Sequence, residues 1–255
     1  MEGRVVVVTG GSSGIGLATV ESLVAEGARV ATCARNGRRL YEAVDHLASD
    51  RVLPVQADVV DPAAAGRLID EAVAHFGRLD ALVNNAGQGR PGRLEELDDA
   101  DWRHELDGKV LGMLHPTRAA IPHLERSNAA RIVNISAVSA REPDPAMLAV
   151  STARAAGSNL SRGLAAELVT RGILVNTVAV GVIASGRARQ RHVQDAPDRP
   201  FADWAVDEAA YRGVPLGRLG HPEEVAAVIT FLASPVASYI SGATITVAGG
   251  LGHSW

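Results

Sequence analysis

Short β-branched runs alternate along this chain with amphipathic stretches, repeating about every 25 residues, the pattern of successive βαβ units. Strands are expected near 4–9, 28–33, 51–56, 79–84, 130–136, 172–179 and 243–248. Their apolar residues run continuously, as in Val5-Val6-Val7-Val8, rather than alternating with polar ones. Such strands belong to a parallel sheet covered on both faces. Between them, apolar positions at helical spacing predict helices near 14–26, 37–48, 62–76, 99–124, 147–170 and 222–233. The expected fold is a three-layer, Rossmann-type, doubly wound α/β sheet of about seven strands, in one domain spanning 1–255.

One stretch breaks the pattern. Over 182–214, Arg, Asp, Pro and Gly mix with Trp204 and Tyr211 and no long periodicity holds, so the segment reads as a substrate lid. Trp204 and Tyr211 are candidate substrate contacts. Arg187, Arg189, Arg191 and Arg199 interleave with Asp195, Asp198 and Asp203. Two readings stand: a self-neutralising charged face, or an anchor for an anionic substrate tail.

Composition narrows the class. With 255 residues, 47% of them hydrophobic, the chain can bury a substantial core. The formal net charge of −4, with both signs interspersed, leaves no basic stripe for nucleic acid. No apolar run is long enough for a membrane span, and the lone Cys33 has no internal disulfide partner. A soluble, cytoplasmic protein acting on a small molecule is expected. His104, His115 and His221 lack metal-ligand spacing, so no metal site is expected.

The first strand runs into Thr9-Gly10-Gly11-Ser12-Ser13-Gly14-Ile15-Gly16, a glycine-rich turn that opens a helix. In that context glycines let the backbone approach a pyrophosphate, and the helix N-terminus presents unpaired N–H groups to it. Further along stand Asp58-Val59, Asn84-Asn85-Ala86-Gly87, Arg131-Ile-Val-Asn-Ile135, Gly172-Ile-Leu-Val-Asn176 and Pro215-Leu-Gly-Arg-Leu-Gly-His-Pro-Glu-Glu224. Together these motifs resemble the short-chain dehydrogenase/reductase family over essentially the whole chain. The resemblance implies a dinucleotide held by Gly10, Ser12, Ser13, Gly14, Ile15 and Gly16, with Asp58 and Val59 at the adenine. It places Asn85, Ala86 and Gly87 along the ribose and the middle of the cofactor, and Gly181 and Ile183 beside the nicotinamide. Where NAD-preferring members carry an acidic residue, this chain has Ala34 followed by Arg35. A guanidinium fork suits a 2′-phosphate, so NADP(H) is expected over NAD(H).

The active set the resemblance implies is altered throughout. Family members place an asparagine on the long helix, a serine after the fifth strand, and a tyrosine and lysine one helical turn apart. The corresponding positions here are Lys109, Ala137, Val150 and Arg154. No shift of register restores the pair, because the tyrosines are Tyr41, Tyr211 and Tyr239 and the one lysine is Lys109. Arg154 can still grip ribose hydroxyls but cannot yield a proton at ordinary pH. Lys109 is the candidate replacement: burial beside Arg154 would lower its pKa toward the range of a general acid. The alternative leaves it snorkelling to solvent or bonding helix carbonyls. Ser139 shares the face of Ala137 if strand alternation persists, and Ala137 and Val150 would make the substrate wall apolar.

Three functions follow. The first is an NADP(H)-dependent oxidoreductase acting on a small or medium hydrophobic carbonyl, alcohol or enone with rebuilt acid/base groups. The second is a non-redox lyase or isomerase on the same fold. The third is a catalytically degenerate, nucleotide-binding subunit. A homotetramer or homodimer is expected in the first case, and a hetero-oligomer with a related active subunit in the last.

Overall fold

A computed structural model describes residues 1–47 and 50–252. Seven strands form one parallel sheet: β1 (Val5–Thr9), β2 (Arg29–Ala34), β3 (Val52–Gln56), β4 (Ala81–Asn84), β5 (Arg131–Ala137), β6 (Leu174–Val180) and β7 (Thr244–Val247). Their spatial order is β3-β2-β1-β4-β5-β6-β7. The order reverses between β1 and β4, where the loops after the two strands diverge and leave a crevice at their carboxyl ends. That crevice is where a ligand belongs in such a sheet.

The continuous apolar runs are explained by the two layers. In β1, Val5 and Val7 face one core while Val6 and Val8 face the other. The first core is closed by α3 (Pro62–Phe76), α5 (Gly112–Leu124) and α6 (Leu148–Leu168), through residues such as Leu68, Leu124 and Leu168. The second is closed by α1 (Gly14–Ala25) and α9 (Pro222–Ala233), through Val20, Leu23, Ile229 and Leu232. Because side chains alternate along a strand, each strand must be apolar at every position. No helix among the described residues is long and apolar enough to cross a membrane.

Three expectations need correction. The helix predicted over 99–124 is two helices, α4 (Asp99–Leu106) and α5, joined by a π-helical turn at Asp107–Leu111. Pro116 lies four residues after Gly112 and has no N–H for its carbonyl, so regular α-helical pairing fails next to this turn. The helix predicted over 37–48 is α2 (Gly37–Val44), started by Asn36, whose Oδ1 accepts the Arg39 N–H at 3.0 Å. Residue 48 of that prediction lies outside the described residues. The segment 182–214 is not irregular: it holds α7 (Gly186–Asp195) and α8 (Phe201–Tyr211). Polar sequence hid these helices because they bury one side against a small core of their own rather than against the sheet.

Candidate active site

The turn after β1 leaves the N-terminus of α1 open. Ser13 stands at the N-cap but its side chain makes no capping bond, so first-turn N–H groups remain available. Gly10 and Gly14 adopt φ of +76° and +56°, values that a side chain would strain. Asn85 ties this turn to β4: its N–H bonds Thr9 Oγ1 at 3.0 Å, and its Nδ2 donates to the Thr9 carbonyl at 2.9 Å. The Ala86 N–H joins the same hydroxyl at 3.0 Å. Asn85 thus braces the cradle with its side chain. Asp58, after β3, accepts the Val60 N–H at 3.1 Å, and Val59 is buried beside it. Arg35 closes β2 on the surface, and no ion pair or hydrogen bond holds its guanidinium among the described residues.

Gly181 and Ile183 serve packing. A Cβ on Gly181 would stand 2.7 Å from the Ala248 backbone, and Ile183 is buried against Gly220. A neighbour the sequence reading missed is Ser185, at the N-cap of α7, whose Cβ lies 3.7 Å from the place a Gly14 Cβ would occupy. The segment 182–214 therefore passes over the glycine-rich turn at Ser185. Spacing within the β6 loop carried that signal only weakly, since the contact joins residues from distant parts of the chain.

Lys109, Val150 and Arg154 gather around the turn after β4, whereas Ala137 stands apart at the end of β5. Lys109 sits in the π-helical turn and is 7% exposed. Its Cε is 3.9 Å from the position of a Cβ on Gly87, against the segment expected to meet the cofactor. The ammonium donates to Glu105 Oε2 at 2.7 Å and to the Gln88 carbonyl. Of its three N–H bonds, one is left for another acceptor. Snorkelling to solvent is ruled out by this burial, and the carbonyl bond reaches a loop rather than a helix. Burial pushes the Lys109 ammonium below the usual lysine pKa; Glu105 opposes this, and the positive charges of Arg154 and Arg187 add to the lowering.

Glu105 was not anticipated. It is 1% exposed, and its second oxygen accepts the Arg90 N–H at 2.7 Å. A carboxylate four residues before a lysine is an ordinary surface pair in a sequence; only packing shows that this one is buried. Arg154 lies one turn along α6 from Val150, donates Nη1 to the Ile135 carbonyl at 2.9 Å, and has a buried Nε with no partner among the described residues. Burial lowers its pKa, with Glu105 opposing. Lys109 and Arg154 are walls of one small cavity that also includes Gly87 and Ser158. Gly157 permits that approach, since a Cβ there would come within 3.0 Å of the Lys109 carbonyl.

Val150 is buried where the proton-donating tyrosine was sought, and packs on Gly89. Ala137 ends β5, half-buried. Ser139 needs correction: the strand stops at Ala137 and Val138–Ala140 form a 3₁₀ turn, so strand alternation no longer sets its direction. Ser136 is spent on Ser158, hydroxyl to hydroxyl at 2.7 Å. Trp204 and Tyr211 also depart from expectation. Trp204 is 6% exposed in a small separate core with Ala188, Ala209, Val214 and Leu219, because its apolar ring is what that core is built on. Tyr211 is 81% exposed at the end of α8, against the Arg212 guanidinium. Cys33 is buried and its thiol is pushed up to about 12, so it is no nucleophile. Among the described residues no group of three His, Cys, Asp or Glu is placed to hold a metal ion.

The short-chain dehydrogenase family model matches residues 4–196, from the first strand to the end of α7. The chain belongs to that family. Two solved structures of a short-chain oxidoreductase from Pseudomonas aeruginosa PAO1, said to contain an atypical catalytic center, are similar throughout. The apo form is 41% identical with a TM-score of 0.94. The NADPH-bound form is 42% identical with a TM-score of 0.93. Each covers 99% of this chain and 98% of that one. The 3-oxoacyl-[acyl-carrier-protein] reductase FabG of Thermotoga maritima is 33% identical, over 98% of each chain. This chain is therefore an oxidoreductase of the short-chain dehydrogenase family, with the family's fold.

Proposed function

We propose that the chain is an NADP(H)-dependent oxidoreductase interconverting a small or medium hydrophobic carbonyl and its alcohol, with Lys109 as the general acid and base. One observation carries this reading: the lysine ammonium is buried against Gly87 and anchored by Glu105, with one N–H free, on the wall shared with Arg154. The open α1 N-terminus suits a pyrophosphate, and the unpartnered Arg154 Nε suits ribose hydroxyls. The uncommitted Arg35 suits a 2′-phosphate. Similarity to an NADPH-bound oxidoreductase supports the same choice.

Bound NADPH supplies the hydride that reaches the carbonyl carbon. Lys109 gives one ammonium proton to the carbonyl oxygen and is left as a neutral amine. Glu105 and the Gln88 carbonyl keep that amine in place by accepting its two remaining N–H bonds, and solvent restores the proton between turnovers. Val150 and Ala137 supply the apolar wall. Arg154 contributes positive charge and ribose contacts but no proton. Oxidation of the alcohol runs the same transfer backwards from the neutral amine.

The direct test is oxidation of NADPH, followed by absorbance, with a panel of small ketones, aldehydes and enones; product formed with no change in nicotinamide absorbance would instead mark a lyase or isomerase. The pH profile carries its own signature. The acid must be protonated for reduction, so the rate should be level at low pH and fall tenfold per unit above the Lys109 pKa, a value below the usual 10.5. Alcohol oxidation should rise through the same point. A reductive profile that stays flat up to 10.5 would remove Lys109 as the acid. For cofactor choice, Arg35→Ser should weaken NADPH by about 10- to 100-fold, the loss of one or two charge-assisted bonds, and leave NADH unchanged in a fluorescence titration.

A further inference from the structure

Four lid arginines were open to two readings, and their contacts separate them. Arg191 pairs with Glu208 at 2.7 Å and lies 4.0 Å from Asp195. Arg199 pairs with Asp207 at 2.8 Å. Arg189 lies over the Phe201 ring, 4.5 Å from its centre. Arg187 alone among these four has neither a carboxylate nor a ring: its Nη1 donates to the Gly89 carbonyl at 2.6 Å. The self-neutralising reading holds for Arg191 and Arg199 and fails for Arg187.

Arg187 is also the lid arginine that reaches the active site. Gly89 lies under Val150, and a Cβ there would meet Val150 at 2.9 Å and Arg187 Nη1 at 3.6 Å. Lys109 holds the carbonyl of Gln88 and Arg187 that of Gly89, so the two cations grip successive residues whose Cα atoms are ~3.8 Å apart. Lys109 is paired with a single buried carboxylate, Glu105, which also accepts the Arg90 N–H, and Arg154 and Arg187 both feel its charge. Arg187 is electrostatically coupled to that carboxylate, and to the further positive charges of Arg191 and Arg212. A neutral carbonyl is a poor partner for a guanidinium in such surroundings. A carboxylate would replace it with paired, charge-assisted bonds about twice as strong.

From this juxtaposition we infer that Arg187 is a specificity residue and that the substrate carries a carboxylate, the lid arginine exchanging the Gly89 carbonyl for that anion beside the reacting carbon. The inference rests on the proposed carbonyl chemistry for the position of the reacting group. It concerns binding, so it is tested without turnover.

The probe is benzoate against its neutral isostere benzamide, titrated by calorimetry into the NADPH-loaded protein, loading being checked by nicotinamide fluorescence. Benzoate should bind at least about tenfold more tightly. In Arg187→Met the ratio should fall to about one, and in Arg187→Lys it should partly return. Arg189→Met, which removes an equal charge from the lid surface, should leave the ratio as it was. Equal affinity for the two probes, a preference that survives Arg187→Met, or no benzoate binding at millimolar concentration would overturn the inference. Absent NADPH oxidation on any carbonyl, with the benzoate preference intact, would count against the proposed reaction and not against the anion site.

Discussion

Replacing Lys109 by methionine should lower turnover by about 10²–10⁴, the usual consequence of removing a positioned general acid. NADPH affinity should change little, because Lys109 meets Gly87 through its aliphatic stem and its ammonium is engaged by Glu105 and the Gln88 carbonyl. The physical reason for so large an effect is the lack of a substitute. Val150 is apolar, Ser139 lies beyond the strand, Ser136 is bonded to Ser158, and Tyr211 is exposed on the far end of α8. Arg154 is positioned but holds its protons too tightly. Single-turnover oxidation of NADPH, measured beside a binding titration, separates loss of chemistry from loss of cofactor. Turnover of Lys109→Met within about threefold of the parent would remove the lysine from the reaction.

The second large effect concerns stability. Glu105→Ala should destabilise the fold by about 3–5 kcal/mol, because it strands a buried ammonium and also leaves the Arg90 N–H without its acceptor. In a domain of this size each kcal/mol lowers the melting temperature by about 2–4 °C, so a shift of roughly 10 °C is expected. Lys109→Met makes the converse error, stranding a carboxylate. Glu105→Leu combined with Lys109→Met removes both charges and should melt close to the parent, since an apolar pair of similar volume replaces the desolvated ions. Additive losses in that double variant would show that the two residues do not act as a buried pair. The double variant also gives a folded background in which the missing activity of Lys109 variants can be read without concern for unfolding.

These effects bear on what a pattern of residues can reveal. The alternation of apolar runs and amphipathic stretches was enough to predict the sheet, because strands buried on both faces must be apolar throughout, and β1 divides its valines between two cores accordingly. The glycine-rich turn was legible for a similar reason: φ values near +76° and +56° restrict the residue type at Gly10 and Gly14. The segment 182–214 shows no periodicity in sequence although it is helical, since α7 and α8 pack on each other around Trp204 and present mostly polar residues to solvent. Tyr211 and Trp204 were both aromatic residues in a lid, yet one is exposed and the other is core.

The sequence by itself determined the fold, the family and the glycine-rich turn that opens α1, because each depends on local backbone demands or on the apolar pattern. Tertiary structure alone decided which charged residues are buried beside the turn after β4. Glu105 and Lys109 are four residues apart, a spacing that on most helices makes a solvated pair. Here α6 packs over them, with Gly157 against the Lys109 carbonyl, and the burial turns that pair into a held, pKa-shifted ammonium. Arg187 likewise differs from Arg189, Arg191 and Arg199 in that its guanidinium, among the described residues, bonds a backbone carbonyl rather than a carboxylate or a ring. Burial and partnership join residues far apart in the chain, and no reading of neighbours along the sequence contains them.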